Sequence, residues 1–408
     1  MNFKVYPSEN LFLFLFQIEI ATKHHYILHK MLIKIDQNFA KNIWIHAQRL
    51  DLENPFGKGP GAVSKAVAHL GYVQIDTISV VERCHHHILF NRIPKYRRSD
   101  LHIAQSVEKS IFEYWTHALA YVSVEDYRYF VSHMKSVSTA PGSWYGSVTA
   151  ADYSKVKKLL KAGPVSIRDI NDDVLVEKEH DWSSHKPSKK ALQLGFKNGD
   201  FVIGERVGML KKYDLTARHF GWDQKPKATS ESEYTAYILD RALRSQGIVS
   251  LDSICHLVPK RKPAAFKLIE SRVAAKKLVE VLLPDAGKVR HWIHPEVIAK
   301  KMDGSELTHI LSPFDPLVIQ RKRHKLFFGH DHLFEAYVPK DKRVYGYFSL
   351  PVLFGNNVIA LLDLKTDRAA NKLLIQSWHW LGKNKSQANK KIIESALDKF
   401  EKFQLVAE

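Results

Sequence analysis

An amide and a carboxylate stand two residues apart in the segment Tyr72–Thr77, whose sequence is YVQIDT. Its apolar side chains alternate with Gln74 and Asp76, and this two-residue period predicts a strand with one buried face. The two polar side chains would then project together from the opposite face. A carboxylate and an amide held side by side on a strand can bind a water molecule or a developing positive charge. We therefore predict that Asp76 and Gln74 are catalytic, although the same alternation is also typical of a simply solvated strand face.

The chain carries a large excess of positive charge. Lys and Arg number 61 against 43 Asp and Glu, which gives a net charge of +18 before the 22 histidines are counted, and a pI near 9.5. Spread over 408 residues, this excess suits a polyanion better than a small acidic metabolite, although a basic surface can also serve solubility alone. The sequence contains no Gly-rich phosphate loop and no paired cysteines, which argues against nucleotide hydrolysis and redox chemistry.

Three separated segments resemble a single known family. The segment Val73–Thr77, followed closely by a run of histidines, is similar to the Gln-aliphatic-Asp motif of the AlkZ/YcaQ family of winged-helix DNA glycosylases, and to its YcaQ branch in particular. The other branch of the family has Gln at the position of Asp76. The segments Leu311–Asp315 and Lys342–Tyr347 extend the resemblance, which covers the chain from about Asp36 to Trp380.

The resemblance implies a DNA glycosylase that acts on N7-alkylguanine lesions and, for this branch, unhooks interstrand crosslinks. Alkylation at N7 makes the base cationic and a good leaving group, so that cleavage passes through an oxocarbenium-like state at the sugar. Asp76 would stabilise this charge or activate water, and Gln74 would hold the water or a neighbouring oxygen. Because the motif contains no lysine suited to a Schiff base, we predict a monofunctional hydrolase without a cofactor. Its partner would be double-stranded DNA with alkylated bases or crosslinks, bound by a monomer.

Basic residues near the motifs are candidates for DNA contact. These are Arg83, His85, His86, His87, Arg321 and Arg323. Neighbouring histidines on a strand would point to opposite faces and could not easily share a metal ion, and no Cys or acidic residue has ligand spacing, so we predict no metal site. Further candidates for phosphate contact are the pairs Arg97-Arg98, Lys157-Lys158, Lys189-Lys190 and Lys211-Lys212, although each pair alone is typical of a solvated face.

An internal repeat predicts the architecture independently of the resemblance. The segment Gly163–Ile170, GPVSIRDI, recurs as Gly247–Ile254, GIVSLDSI. In each copy an apolar helix ends at the glycine, and Ser166 or Ser250 then caps the next helix, which is typical of a helix-turn-helix. Strand-like sequence follows each copy. We therefore predict an α+β fold of tandem winged helix-turn-helix domains.

Five regions follow from this pattern. They are an amino-terminal extension (1–31), a first winged-helix domain with the catalytic motif (32–145), a second (146–228), a third (229–307) and a β-rich carboxy-terminal domain with a terminal helix (308–408). In the first domain we predict helices over Gln37–Leu50 and Gly61–Leu70, and a hairpin that pairs the motif strand with Ile88–Phe90. The motif would then lie in the wing. The aromatic-rich stretch Ile111–Phe130 is predicted to be a core helix, with stacking of one or two of its rings on bases as the alternative.

The carboxy-terminal region predicts a β-barrel-like domain closed by a helix over Ser386–Phe403. Apolar segments bounded by turn residues predict its short strands. These are Leu326–Phe328, Phe334–Val338, Val344–Phe348 and Val358–Leu364.

Cysteine content and apolar runs predict the cellular location. Cys84 and Cys255 cannot form a disulfide framework, so a reducing compartment is expected. The apolar run 11–16 is too short to span a bilayer and lacks the features of a secretory signal. We predict a protein of the bacterial cytosol, associated with the nucleoid and not with a membrane.

A non-catalytic transcriptional regulator is the alternative function. A winged-helix regulator would read bases from a recognition helix, and Gln74 and Asp76 would merely lie on a wing. A glycosylase instead needs this pair to face the DNA.

Overall fold

The computed structural model describes residues 33–172, 175–177, 185–300, 302 and 304–405. The predicted extension 1–31 lies outside these residues. The helices are α1 Gln37–Ala47, α2 Pro60–Leu70, α3 Cys84–Phe90, α4 Arg98–Ser106, α5 Val131–Thr139, α6 Ala150–Ala162, α7 Pro187–Lys197, α8 Thr216–Phe220, α9 Glu231–Gln246, α10 Leu251–Ile254, α11 Lys262–Ala274, α12 Pro295–Ile298, α13 Arg321–Phe328 and α14 Gln387–Leu405. The strands are β1 Ile33–Lys34, β2 Val73–Gln74, β3 Ile111–Trp115, β4 Leu119–Ser123, β5 Val165–Ser166, β6 Phe201–Val207, β7 Leu210–Leu215, β8 Ile248–Val249, β9 Val279–Leu282, β10 His291–Ile293, β11 Thr308–Ile310, β12 Ser349–Phe354, β13 Asn357–Asp367 and β14 Lys372–Trp380.

Helices and sheets mix along the whole described chain, which confirms the predicted α+β class. Within the described residues, no helix is both long and apolar enough to cross a membrane. The helices predicted over Gln37–Leu50, Gly61–Leu70 and Ser386–Phe403 are observed as α1, α2 and α14. The second of these ends at Gly71, whose φ of 80° is the left-handed conformation that favours glycine at a helix end.

Three parts of the chain share one order of elements. Each begins with a helix, continues through a two-residue strand and one or more helices, and ends in an antiparallel strand pair. The first copy runs from α2 to β4, the second from α6 to β7 and the third from α9 to β10. In each copy the short strand pairs with the last strand, as in the order β2-β4-β3, its equivalent β5-β7-β6, and the third sheet, where β10 lies between β8 and β9.

The strand register repeats as closely as the order of the elements. In every copy a valine of the short strand lies opposite an aromatic residue of the last strand. The pairs are Val73 with Tyr121, Val165 with Tyr213, and Val249 with Trp292. The internal repeat in the sequence covers only the second and third copies, and the structure extends it to the first predicted domain, which contains the motif.

The first copy differs from its prediction in two elements. Ile88–Phe90, predicted to pair with the motif strand, is the end of helix α3. The stretch Ile111–Phe130, predicted to be a helix, forms the hairpin of β3 and β4 and then a 3-10 turn, Val124–Tyr129. Strand β3 is buried on both faces, because Phe112 and Tyr114 belong to the core of the second copy while Ile111 packs in that of the first. Two-sided burial removes the polar alternation that marks a strand.

Helix α1 packs against the third copy, although the predicted boundaries place it in the first domain. A Cβ atom on Gly247 would lie 2.6 Å from the side chain of Ile43, so the helix and the turn are in close contact. The amide of Gln48 donates to the carbonyl of Ser245 just beyond the helix.

The carboxy-terminal sheet is antiparallel and has the order β11-β12-β13-β14. It stays open in the described residues, so the barrel-like closure that we predicted is wrong. Of the predicted strands, Val358–Leu364 lies within β13, whereas Leu326–Phe328 is helical in α13. Helix α14 covers the sheet through Ile393, Leu397 and Phe400.

Phe334–Val338 is coil and turn, and two carboxylates explain why the predicted strand Val344–Phe348 is irregular. The backbone amides of Val344 and Tyr345 donate to Glu335 at 2.6 and 2.7 Å. The amides of Tyr347 and Phe348 donate to Asp363 at 2.8 and 3.0 Å. Carboxylate oxygens therefore take the place that a neighbouring strand would have, and an apolar pattern in sequence does not reveal this substitution.

A buried ion pair connects the first copy to the carboxy-terminal region. The guanidinium of Arg92 donates to both oxygens of Asp315 at 2.8 and 3.0 Å, and both side chains are fully buried. The same guanidinium donates to the backbone and side-chain oxygens of Gln48 at 3.0 and 2.8 Å. Asp315 ends the segment Leu311–Asp315, one of the three segments of the family resemblance, and the geometry gives it a structural role.

Candidate active site

The motif begins on a strand that is shorter than predicted. Strand β2 consists of Val73 and Gln74, and the amide of Ile75 adds one more bond to the carbonyl of Leu119 at 2.8 Å. Asp76 follows, where the chain leaves the sheet and runs irregularly until helix α3. The two candidate catalytic residues therefore lie at the edge of a sheet and at the start of a loop.

The side chain of Gln74 is buried, with 6% of its surface exposed, and is held in place by two neighbours. Its Oε1 atom lies 3.0 Å from Nε2 of His117, in the turn between β3 and β4, and since this oxygen can only accept, the imidazole N–H donates. The thiol of Cys84 donates to the Gln74 carbonyl at 3.1 Å. Burial and the charge of Asp76 raise the pKa of this thiol, which keeps it protonated as a donor.

His117 was not among the predicted site residues. Burial, together with the neighbouring His256 and Arg241, lowers its pKa to about 4. The imidazole is therefore neutral near pH 7 and has one N–H to donate. Its ring packs edge-on against Tyr72 at a centroid distance of 4.9 Å. This contact and the bond to Gln74 fix the ring on the motif side of the hairpin.

The side chain of Asp76 is partly exposed, in contrast to that of Gln74. One carboxylate oxygen accepts from the amide of Ile78 at 2.8 Å, which forms a tight turn. Strand β13 then fastens the loop, because the backbone amide of Thr366 donates to the carbonyl of Val80 at 3.0 Å and its hydroxyl to that of Val81 at 3.1 Å. The carboxyl-terminal sheet thus positions the loop that carries the candidate acid.

Gln74 occupies the position of a helix cap in the other two copies. It is the third residue after Gly71, as Ser166 is after Gly163 and Ser250 is after Gly247. The Ser166 hydroxyl accepts from the amide of Arg168, and the Ser250 hydroxyl from that of Ser253, and each begins a helical turn. In the first copy no helix begins there. The repeat therefore places a polar side chain at this position, and only in the first copy does it point to a neighbouring imidazole instead of its own backbone.

A cavity lies beside His117. Its walls include Tyr72, His117 and His256, together with Arg241 and the exposed Trp115. His117 lines this cavity and also bonds to Gln74, so the motif and the cavity are one side chain apart.

The three neighbouring histidines lie on helix α3 and are buried. His86 bonds to the Tyr96 hydroxyl at 2.6 Å, His87 bonds to the carbonyl of Ile310 at 2.7 Å, and the ring of His85 packs on that of His86. They therefore contact protein, and we do not retain them as DNA contacts. The strand geometry assumed for them was wrong. Among the described residues, no group of three or more His, Cys, Asp or Glu side chains is arranged to hold a metal ion.

Because these histidines are buried, we expect the protein to lose stability in acid. Burial lowers the pKa of His86 to about 3 and that of His87 to about 4. Below the ordinary histidine pKa, these side chains bind protons in the unfolded chain but stay neutral in the folded chain. The contribution of these neutral histidines to the free energy of unfolding is therefore fully present above about pH 6.5. It is lost as the pH falls towards 4.

We expect the free energy of unfolding to fall by about 1.4 kcal/mol per pH unit for each such histidine between about pH 6 and pH 4. Urea titrations over this range measure the slope. Replacement of His87 by asparagine should reduce it, and replacement of the exposed His102 should not. An equal slope in wild type and His87→Asn would contradict this origin.

The predicted arginine contacts divide into exposed and buried residues. Arg323 is buried, with its guanidinium 4.2 Å above the ring of Trp44 and a bond of 2.6 Å to the carbonyl of Ile248. Burial lowers its pKa to about 9. It is therefore a core residue, whereas Arg321 is exposed and Arg83 is partly exposed, and these two stay candidates for DNA contact.

Acidic neighbours occupy several of the other basic candidates. The ion pairs are Arg97 with Asp100 at 3.3 Å, Arg98 with Glu82, Lys157 with Asp200 at 3.8 Å, and Lys212 with Glu205 at 3.3 Å. Lys190 is buried and lies over the ring of Trp144. Charge counted along the sequence therefore overstates the positive charge that these pairs offer to DNA.

Comparison with known proteins identifies the class of this fold and motif. The chain matches the family model described as "DNA glycosylase AlkZ-like" over residues 67–403 and belongs to that family. The predicted family is thus confirmed, and membership supports DNA glycosylase activity in general, with DNA as the substrate. The structure of Streptomyces sahachiroi DNA glycosylase AlkZ is similar in fold, with a TM-score of 0.59 and 15% sequence identity over 92% of this chain and 98% of that chain.

Proposed function

We propose that the chain is a monofunctional glycosylase that hydrolyses the N-glycosidic bond of N7-alkylguanine lesions, including those that form interstrand crosslinks. The observation that carries the proposal is the pairing of a fixed amide with a partly exposed carboxylate. Gln74 is held by His117, and Asp76 stands two residues further on, at the start of a loop that strand β13 fastens.

The proposed reaction needs only one carboxylate near the sugar. The bond from C1′ to the base breaks first, and its electron pair neutralises the cationic alkylated base. The Asp76 carboxylate stabilises the positive charge that develops at C1′ and orients a water molecule towards it. Water then adds to C1′, and its proton passes to Asp76 or to solvent. Gln74 holds the water or a neighbouring sugar oxygen.

We infer that the three copies are tandem winged-helix domains and that they bind the duplex. The shared order of helices and strands, with a two-stranded wing at the end of each copy, supports this inference. The motif lies on the short strand and not in the wing, because the wing of the first copy is the hairpin of β3 and β4. The exposed Arg321 and partly exposed Arg83 are proposed backbone contacts.

The function is tested by the release of free base. The chain is incubated with duplex DNA containing N7-methylguanine and, separately, with a duplex carrying an N7-linked interstrand crosslink. We expect release of free N7-methylguanine with an intact abasic strand, and conversion of the crosslinked duplex to separable strands. The undamaged duplex is the control. Strand cleavage together with base release would contradict the monofunctional assignment, and the absence of release from both substrates would contradict the function.

His117 is proposed to position Gln74, and this role predicts a graded effect. Removal of the imidazole in His117→Ala should slow base release roughly three- to tenfold, which is the value of one hydrogen bond. His117→Gln, which can place an amide N–H near the position of Nε2, should recover part of the rate. Single-turnover rates measure both variants.

A structural role alone would give a different pattern. In that case the glutamine variant would be as slow as the alanine variant, and both would unfold at lower urea concentration. We also expect Gln74→Ala to combine non-additively with His117→Ala, because both changes remove the same bond. Additive losses would contradict the positioning role.

A further inference from the structure

We propose that the cavity beside the motif binds a backbone phosphate of the DNA substrate through the guanidinium of Arg241. This proposal rests on the proposed glycosylase function and names one contact of the same site. No predicted DNA contact lies in this cavity. Arg241 belongs to helix α9 of the third copy, whereas the motif belongs to the first.

The charge of Arg241 has no acidic partner. Within the described part of the chain, Arg241 makes no ion pair. Its guanidinium carbon lies 5.9 Å from the ring centre of Tyr72 and 5.5 Å from that of Tyr237. The carboxylate of Asp126 acts on it only from a distance and accepts instead from the Tyr237 hydroxyl at 3.0 Å. The neighbouring Arg261, which also lines the cavity, is paired with a glutamate.

A cation without an acidic partner in a partly buried site destabilises the free protein. Taking a guanidinium out of water costs several kcal/mol unless an anion or other acceptors replace the lost hydration. Aromatic rings offset part of this cost. An anion that enters the cavity would offset the rest, so Arg241 is suited to a ligand and not to a role in packing alone.

The stem of Arg241 is fixed against the turn that begins the motif. A Cβ atom on Gly71 would lie 2.4 Å from both Cγ and Cδ of Arg241, so only glycine leaves room for the stem. Gly71 also has a φ of 80°, which glycine adopts without strain. Gln74 follows three residues later. The same turn therefore sets the positions of the guanidinium and of the candidate catalytic amide.

The chemistry of the cavity selects a phosphodiester over the damaged base. A cationic N7-alkylguanine would be repelled by Arg241, whereas a phosphate would be attracted and could accept two parallel bonds from the guanidinium. His256 adds an N–H donor to the walls, because the single N–H of His117 is used on Gln74. The cavity encloses about 90 Å³, several times the roughly 10–15 Å³ that one water molecule needs.

The test replaces single phosphates in the substrate. The probe is a duplex with a non-cleavable abasic-site analogue, in which each phosphate near the lesion is exchanged in turn for an uncharged methylphosphonate. For the wild-type chain we expect one linkage at which the exchange weakens binding roughly tenfold or more. With the exchange at that linkage, the slope of the logarithm of the binding constant against the logarithm of the salt concentration should also decrease in magnitude by about one.

Variants assign the sensitive linkage to Arg241. Arg241→Gln should bind the unmodified probe as weakly as wild type binds the exchanged probe, and should no longer respond to the exchange. Arg241→Lys, which keeps the charge but loses the planar fork, should lie between them. The matched control is Arg244→Gln, because Arg244 lies one turn along the same helix, is exposed and donates to the carbonyl of His69.

Two results would overturn the proposal. One is a wild-type chain that responds to no single linkage near the lesion. The other is an Arg241→Gln chain that keeps the wild-type response. Base release by the wild-type chain is measured in parallel on N7-methylguanine duplex. Release without a sensitive linkage removes the phosphate site alone, whereas the absence of release removes the glycosylase function itself.

Discussion

Replacement of Asp76 by alanine is expected to slow base release by about 10²- to 10⁴-fold and to change the affinity for lesion-bearing duplex by no more than about twofold. The reason is that the carboxylate acts on a charge that exists only in the transition state, so its loss raises the barrier without weakening the ground-state complex. Single-turnover rates and equilibrium binding to the abasic-analogue duplex measure the two quantities.

Two variants accompany Asp76→Ala. Asp76→Glu keeps the charge and moves it by one methylene, so it should retain part of the rate. Thr77→Ala changes the exposed neighbour and should leave the rate unchanged. A large loss of affinity in Asp76→Ala would show that the residue holds DNA and not the transition state, which would contradict the catalytic assignment.

Replacement of Asp315 by asparagine is expected to lower the free energy of unfolding by about 3–5 kcal/mol. The change leaves the guanidinium of Arg92 buried without its counter-charge. Both side chains are completely buried, and the same guanidinium also binds Gln48, so a single substitution disturbs the contact of three segments. Urea denaturation measures the loss.

An exposed ion pair provides the control for this prediction. Arg128 and Glu233 are joined at 2.7 Å, with about half of each side chain exposed. Arg128→Gln should cost no more than about 1 kcal/mol. If Asp315→Asn were equally mild, the buried pair would not connect the first copy to the carboxy-terminal region in the way that the geometry indicates.

The sequence predicted those elements whose apolar spacing and end signals lie within the element itself. Helices α1, α2 and α14 have clear apolar stripes or end signals, and two of the three copies share a glycine followed by a capping serine. The first domain was predicted, but the repeat in the sequence did not extend to it, because Gln74 stands at the position of that serine. A long amide cannot close the turn as Ser166 and Ser250 do, so the sequence no longer resembles a cap although the backbone path is retained.

Contacts between residues that are distant in the sequence could not be predicted from the spacing of residue types. The hairpin of β3 and β4 was predicted to be a helix because burial on both faces hides its period. His117 is 43 residues from Gln74, and no spacing rule connects them. Arg241 reaches the motif from another copy of the repeat. The fold brings these side chains together, and only the motif itself could be predicted from the sequence.

The most direct test of the central claim is the rate at which Asp76→Asn releases N7-methylguanine from duplex DNA. Asparagine has nearly the shape of aspartate and can still accept the bond from the amide of Ile78, so the variant removes the charge and little else. We expect a protein that folds and binds like wild type and releases base at least about 10²-fold more slowly. Release at the wild-type rate would show that another group carries the reaction.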